Sequence, residues 1–180
     1  MKKPRFHITL LRYGLVLACL CCPANAVAGE FSLAGAVAHG EESSQAYDFY
    51  IQYTFDPWYE SETITLKPLA TGGISLWERS DKSIWGGNVN IGLMLQFAGG
   101  ENWRSFIMGT FGMTVLSSEE FNDLNLGCRE QFRSRGSLGI SFGKELKHTL
   151  KCDVTHYSNA SMAGNNDGYN TIGLSYGLAF

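Results

Sequence analysis

Residues 169–180, YNTIGLSYGLAF, set Ile172, Leu174, Tyr176, Leu178 and Phe180 against Gly173, Ser175, Gly177 and Ala179. Successive side chains leave opposite faces of a β-strand, so this alternation gives one apolar face and one small or polar face. The same period recurs along the chain. In AYDFYIQYTF the apolar set is Tyr47, Phe49, Ile51, Tyr53 and Phe55, and in NVNIGLMLQF it is Val89, Ile91, Leu93, Leu95 and Phe97. EQFRSRGSLGISF places Phe132, Leu138, Ile140 and Phe142 opposite Gln131, Arg133, Arg135 and Ser141. Four further segments, about 31–39, 63–78, 103–117 and 147–160, alternate less cleanly. A fold of eight β-strands is the reading that uses all of them.

The alternation alone does not say which face is inside. A soluble sandwich or lipocalin would bury the apolar set. Here the other face carries arginines, aspartates and asparagines interleaved with glycines, which suits a narrow hydrated interior. The chain also stops on an aromatic in a regular strand, which resembles the C-terminal signal of bacterial outer-membrane proteins, with Ser175 where a glycine is usual. An even number of strands of ~10 residues meets the requirement for a closed barrel in a bilayer. The expected fold is therefore an all-β, eight-stranded antiparallel transmembrane β-barrel. Its interior would be filled by side chains rather than open as a pore. No apolar run of ~18 residues offers a helical span.

The expected topology puts DPWYES, AGGENW and GKELKH at the periplasmic end, and the segments around 40–45, 79–87, 118–127 and 160–168 outside. Lys67, Arg133, Arg135 and Lys151 fall on inward faces, where Asp48 and Asp153 are available to pair with them. MKKPRFHITLLR, the short apolar stretch YGLVLACLCC and PANAVAGE read as a secretory signal over residues 1–28, cleaved after Ala26 or Ala28. A lipoprotein signal ending at Cys19 fits less well. The barrel domain is then 29–180. Only Cys128 and Cys152 remain in it, and the expected register sets Cys152 near position 138, so no disulfide between them is expected. A net charge of −3 gives no basic patch for nucleic acid.

The segment HTLKCDVTHYSNA can be phased. Lys151, Asp153, Thr155, Tyr157 and Asn159 point inward, and Leu150, Cys152, Val154, His156 and Ser158 point outward. In the next strand Ile172, Leu174 and Asn170 share the outward face. A hairpin whose paired positions sum to about 326–328 places Asn170 beside His156 or Ser158 at the outer rim. His-x-Ser is a short pattern, and such residues also occur as plain headgroup contacts. His39, Glu41 and Glu42 read as a solvated loop rather than a metal site, and His39 and His148 lack a partner motif.

The longer stretch HYSNASMAGNNDGYN resembles the signature of the lipid A 3-O-deacylase (PagL) family of outer-membrane acyl hydrolases. The resemblance covers the His-Tyr-Ser-Asn-Ala core, the Asn166-Asp167-Gly168 turn and the spacing to position 170. It implies an esterase in the Gram-negative outer membrane that removes the 3-O-linked acyl chain of lipid A in lipopolysaccharide, with no cofactor or metal. It also implies Ser158 as nucleophile, His156 as general base and Asn159 as support for the oxyanion. The family's third catalytic member is a glutamate at the position matched by Asn170. An amide can hold the histidine's tautomer but carries no charge, and Asp167 is the alternative acid. Ser161 and Asn165 replace an expected glycine and proline. The rival readings are a catalytically weakened relative and a non-enzymatic small barrel serving adhesion or membrane stability. Association as a homodimer stays open.

Overall fold

The computed structural model describes residues 29–80 and 82–180; the signal peptide expected over residues 1–28 lies outside the described residues. Its long strands are β1 Gly29–Gly40, β2 Gln45–Phe55, β3 Ile64–Arg79, β4 Lys82–Phe97, β5 Trp103–Leu116, β6 Glu130–Phe142, β7 His148–Ser158 and β8 Tyr169–Ala179. Each pairs antiparallel with its neighbour in sequence. Strand β1 also pairs with β8, from Ser32 opposite Ala179 to Gly40 opposite Thr171, so the sheet closes into a barrel. Tyr59–Glu60 adds a short strand to β3 at the end with the shorter turns.

The polarity is inverted relative to a soluble protein. Ile91 is 65% exposed while its chain neighbour Asn90 is 4% exposed. Phe49, Leu93, Ile140 and Leu174 share the exposed apolar wall, and Asp48, Arg133, Arg135, Lys151 and Asp153 are buried. Apolar atoms outside and charge inside form a stable arrangement only where the surroundings are hydrocarbon. Trp58, Tyr59, Trp103, Tyr176 and Phe180 ring the short-turn end of the wall, as an aromatic interface belt requires.

Inside, Asp48 receives both arginines. Arg133 Nη2 lies 2.7 Å from Asp48 Oδ2, and Arg135 donates to the same oxygen. Ser75 donates to the other carboxylate oxygen at 2.5 Å. Two expected pairings differ. Lys151 donates to the Tyr50 hydroxyl at 2.6 Å, and Asp153 accepts from Ser137 at 2.5 Å and Ser175 at 2.6 Å. Neutral hydroxyls suffice there because small residues of adjacent strands reach the carboxylate directly. Ser175, the departure from the terminal pattern, thus has a defined partner. Lys67 lines a polar cavity of about 220 Å³ near the short-turn end, together with Gln96, Arg104 and Lys151.

The other end of the lumen is apolar. Trp77, Phe121, Leu126, Tyr157 and Tyr169 are almost fully buried, and the Trp77 ring lies 4.2 Å from Tyr169 and 4.7 Å from Tyr157. Phe121 reaches this plug from the loop after β5, which folds back through a small hairpin of Glu120–Phe121 with Leu124–Asn125. The expected loop 79–87 is corrected to a continuation of the hairpin, since β4 begins at Lys82 opposite Arg79. Gly86 and Gly87 obscure its alternation, but Ile84 packs inward and Trp85 outward. Cys128 and Cys152 are not bonded to each other, and Cys152 sits opposite Leu138.

Candidate active site

Strands β7 and β8 pair with His156 opposite Asn170 and Tyr157 opposite Tyr169. The alternation that turns Tyr157 and Tyr169 into the plug turns His156 and Asn170 to the outer wall, where both are exposed. The plug therefore holds both strands from behind. Arg133 Nε adds a 3.0 Å bond to the Tyr157 hydroxyl, tying the ion pair in the lumen to the residue between His156 and Ser158.

On the wall, His156 Nδ1 lies 2.7 Å from Asn170 Oδ1. A carbonyl oxygen only accepts, so Nδ1 carries a proton, and the neutral ring has its lone pair on Nε2. The other end of the Asn170 amide, Nδ2, donates to Glu41 Oε1. Ser158 ends β7 on the same face as His156 and is half-buried. Among the described residues no hydrogen bond joins Ser158 to His156; unliganded sites often show such loose contacts before substrate tightens them. Gly168 lies across from Ser158 with φ of +72°, and an added Cβ would stand 3.5 Å from His156 Cε1. A side chain there would touch the imidazole and strain the backbone.

Two residues expected near the chemistry lie elsewhere. Asn159, the residue just past β7, is fully buried, and its Nδ2 donates to the carbonyls of Leu126 at 2.7 Å and Asn165 at 2.6 Å. With both amide hydrogens engaged, this side chain cannot also donate to an oxyanion. It joins the two long loops instead. Asp167 does the same work: its Oδ2 accepts from the Asn125 backbone N–H at 2.7 Å, which removes it from the place of an acid beside His156. Strand β8 begins only at Tyr169, so Asp167 belongs to the loop. Two residues near the site were missed by the sequence reading. Glu41 is one. The other is Asn166, whose Oδ1 accepts from the backbone N–H of Asn159, the residue following Ser158, at 2.9 Å. No local pattern marked Glu41: the β1–β8 register, which one step past Gly40–Thr171 sets position 41 opposite Asn170, is set only when the barrel closes.

A furrow of about 680 Å³ runs down the outer wall from His156, floored by Gly109 and Gly136 and flanked by Leu93, Phe111 and Val154. A Cβ added to either glycine would meet nothing within 4 Å, so the missing side chains leave open space. Among the described residues no group of three or more His, Cys, Asp or Glu is placed to hold a metal ion. The site thus consists of an imidazole held through Nδ1, a hydroxyl on the same face and a shallow apolar furrow open to the surrounding hydrocarbon.

Several known proteins resemble this chain. The lipid A deacylase PagL of Pseudomonas aeruginosa is 26% identical over 164 residues, which span 89% of this chain and 93% of the relative. A crystal structure of the outer membrane enzyme PagL superposes with a TM-score of 0.75 at 24% identity, covering 82% of this chain and 98% of the other. The N-terminal β-barrel domain of P. aeruginosa OprF reaches a TM-score of 0.50 at 10% identity over 85% of this chain and 100% of that domain. The sequence pattern of the family described as lipid A 3-O-deacylase (PagL) matches residues 45–179, three-quarters of the chain and both strands of the site, and the chain belongs to that family.

Proposed function

We propose that this barrel is an outer-membrane esterase that removes the 3-O-linked acyl chain of lipid A, with Ser158 as nucleophile and His156 as general base. The observation that carries the reading is the fixed Nδ1–H tautomer of His156 beside an outward serine on the same strand face. The Ser158 hydroxyl attacks the ester carbonyl while His156 Nε2 takes its proton. The tetrahedral intermediate collapses as the imidazolium returns that proton to the departing sugar hydroxyl. An acyl-serine remains, and a water activated by the same nitrogen releases the fatty acid. Donation to the oxyanion is assigned to Asn166, a reading supported by the bond its oxygen accepts from the backbone N–H of the residue after Ser158. Asn170 holds the imidazole, as the amide does in Cys-His-Asn enzymes. The leader over residues 1–28 is removed on export, after Ala26 or Ala28.

An outward site suits a substrate whose ester lies at the membrane interface, because the lipid need not leave the bilayer. Mass spectrometry of lipid A from cells with and without the protein tests the activity directly. Expression should produce lipid A lighter by one 3-O-linked acyl chain, and an unchanged spectrum with folded barrel in the membrane would refute the assignment.

The furrow selects the acyl chain by position rather than by burial. Lipid tails around the barrel are as apolar as the wall, so no hydrophobic gain accompanies entry. Gly136→Leu should fold normally, since strands favour such residues over glycine. With its side chain in the furrow, it should lower deacylation of a long chain about tenfold and of a short chain much less, as misplacing a reacting ester does. Chain-length profiles of the two proteins in mixed micelles make the comparison.

A further inference from the structure

We propose that Glu41 is the acid of this site, a positioning residue that acts on His156 through Asn170. The inference rests on the reading of Ser158 and His156 given above. His156, Asn170 and Glu41 form one row across β7, β8 and the turn after β1. His156 faces Asn170 in the β7–β8 ladder, and the β1–β8 register, continued one step, sets Glu41 on the other side of Asn170. Both contacts are made: Asn170 Oδ1 accepts from His156 Nδ1, and Asn170 Nδ2 donates to Glu41 Oε1.

The order of these groups has a chemical consequence. An asparagine amide can turn over, presenting either oxygen or NH2 to the imidazole. Facing NH2, the histidine would have to carry its proton on Nε2, the nitrogen needed as base. A carboxylate accepts only, so Glu41 holds the NH2 end toward itself. That leaves the amide oxygen for Nδ1–H and the Nε2 lone pair for Ser158. The negative charge also lies on the far side of a polarisable amide, aligned to favour the imidazolium as it forms.

Glu41 is built into its place. Its carbonyl accepts from the Ser44 hydroxyl at 2.5 Å and the Ser44 N–H at 3.1 Å. Ser44, itself buried, bonds the Tyr169 hydroxyl at 2.8 Å. Tyr169 precedes Asn170, so the turn carrying the glutamate is tied to the strand carrying the amide. Gly40 leaves room for this, since a Cβ there would collide with the Tyr169 hydroxyl.

The test measures kcat and KM for lipid A deacylation by the full refolded barrel, with folding followed separately by heat-modifiable gel mobility. Glu41→Gln removes the charge but can still present an oxygen; Glu41→Ala removes the acceptor. The first should lower kcat about tenfold and the second about a hundredfold, below the ~10⁴ lost when a direct triad acid becomes an amide, with KM changed less than about twofold. Asn170→Glu added to Glu41→Gln should restore kcat, because it brings the charge directly to Nδ1. Added to the native chain it should gain little, since two carboxylates would then face each other. Nitrogen-15 NMR of His156 should show the Nδ1–H tautomer in the native protein and a mixture in Glu41→Ala. Native kcat in both Glu41 variants beside an inactive Ser158→Ala would overturn the role of Glu41 alone, as would failure of the rescue. An active, folded Ser158→Ala would overturn the underlying reading first.

Discussion

Ser158→Ala should lower deacylation by about 10⁴-fold or more while leaving the barrel assembled. His156→Ala should fall to the same floor, and the double variant should be no worse than either. The hydroxyl is a useful nucleophile only while the imidazole takes its proton, so removing one group removes the benefit of the other. Both side chains stand on the outer wall, away from the buried ion pair and the aromatic plug, so their loss leaves the lumen's packing intact. Heat-modifiable mobility should be native in all three variants. A folded Ser158→Ala retaining even a tenth of the native rate would move the nucleophile elsewhere.

Asp48→Asn should destabilise the barrel by about 3–5 kcal/mol, because it takes from two buried guanidinium groups the carboxylate they share. Arg133 and Arg135 are 2% and 6% exposed, and both bond the same carboxylate oxygen. The substitution keeps the shape but has one acceptor oxygen where the carboxylate has two, so the loss reports the missing charge together with the missing acceptor. Replacing Asp48, Arg133 and Arg135 together with apolar residues of similar volume should recover most of it, since the pair also carries a desolvation penalty. Urea unfolding in lipid vesicles, followed by tryptophan fluorescence, measures both. An unchanged midpoint for Asp48→Asn would show that water in the lumen screens the arginines.

The outer wall was legible in the sequence because hydrocarbon imposes one rule on every strand. Ile91, Ile140 and Leu174 had to share a face, and that parity fixed the strands and confined Asn170 to the side of His156 or Ser158, between which the register selects His156. The same alternation, continued one residue past β7, turns Asn159 inward, where its amide braces two loops. The lumen was far less legible. Trp77 meets Tyr157 and Tyr169 across the bore, and no local pattern announces contacts set by how the whole sheet closes. The start of β4 was hidden for a different reason, since Gly86 and Gly87 lack the side chains that alternation is read from. Loop docking, as of Asp167 on Asn125, follows from neither rule, because irregular backbone has no period.

The row His156–Asn170–Glu41 crosses the seam where the last strand meets the first. A chain that has formed only its final hairpin holds the serine, the histidine and the asparagine, but the glutamate reaches them only when β1 is zipped to β8. If Glu41 has the role proposed above, the step that seals the cylinder is also the step that completes the site, and catalytic competence waits on closure of this seam.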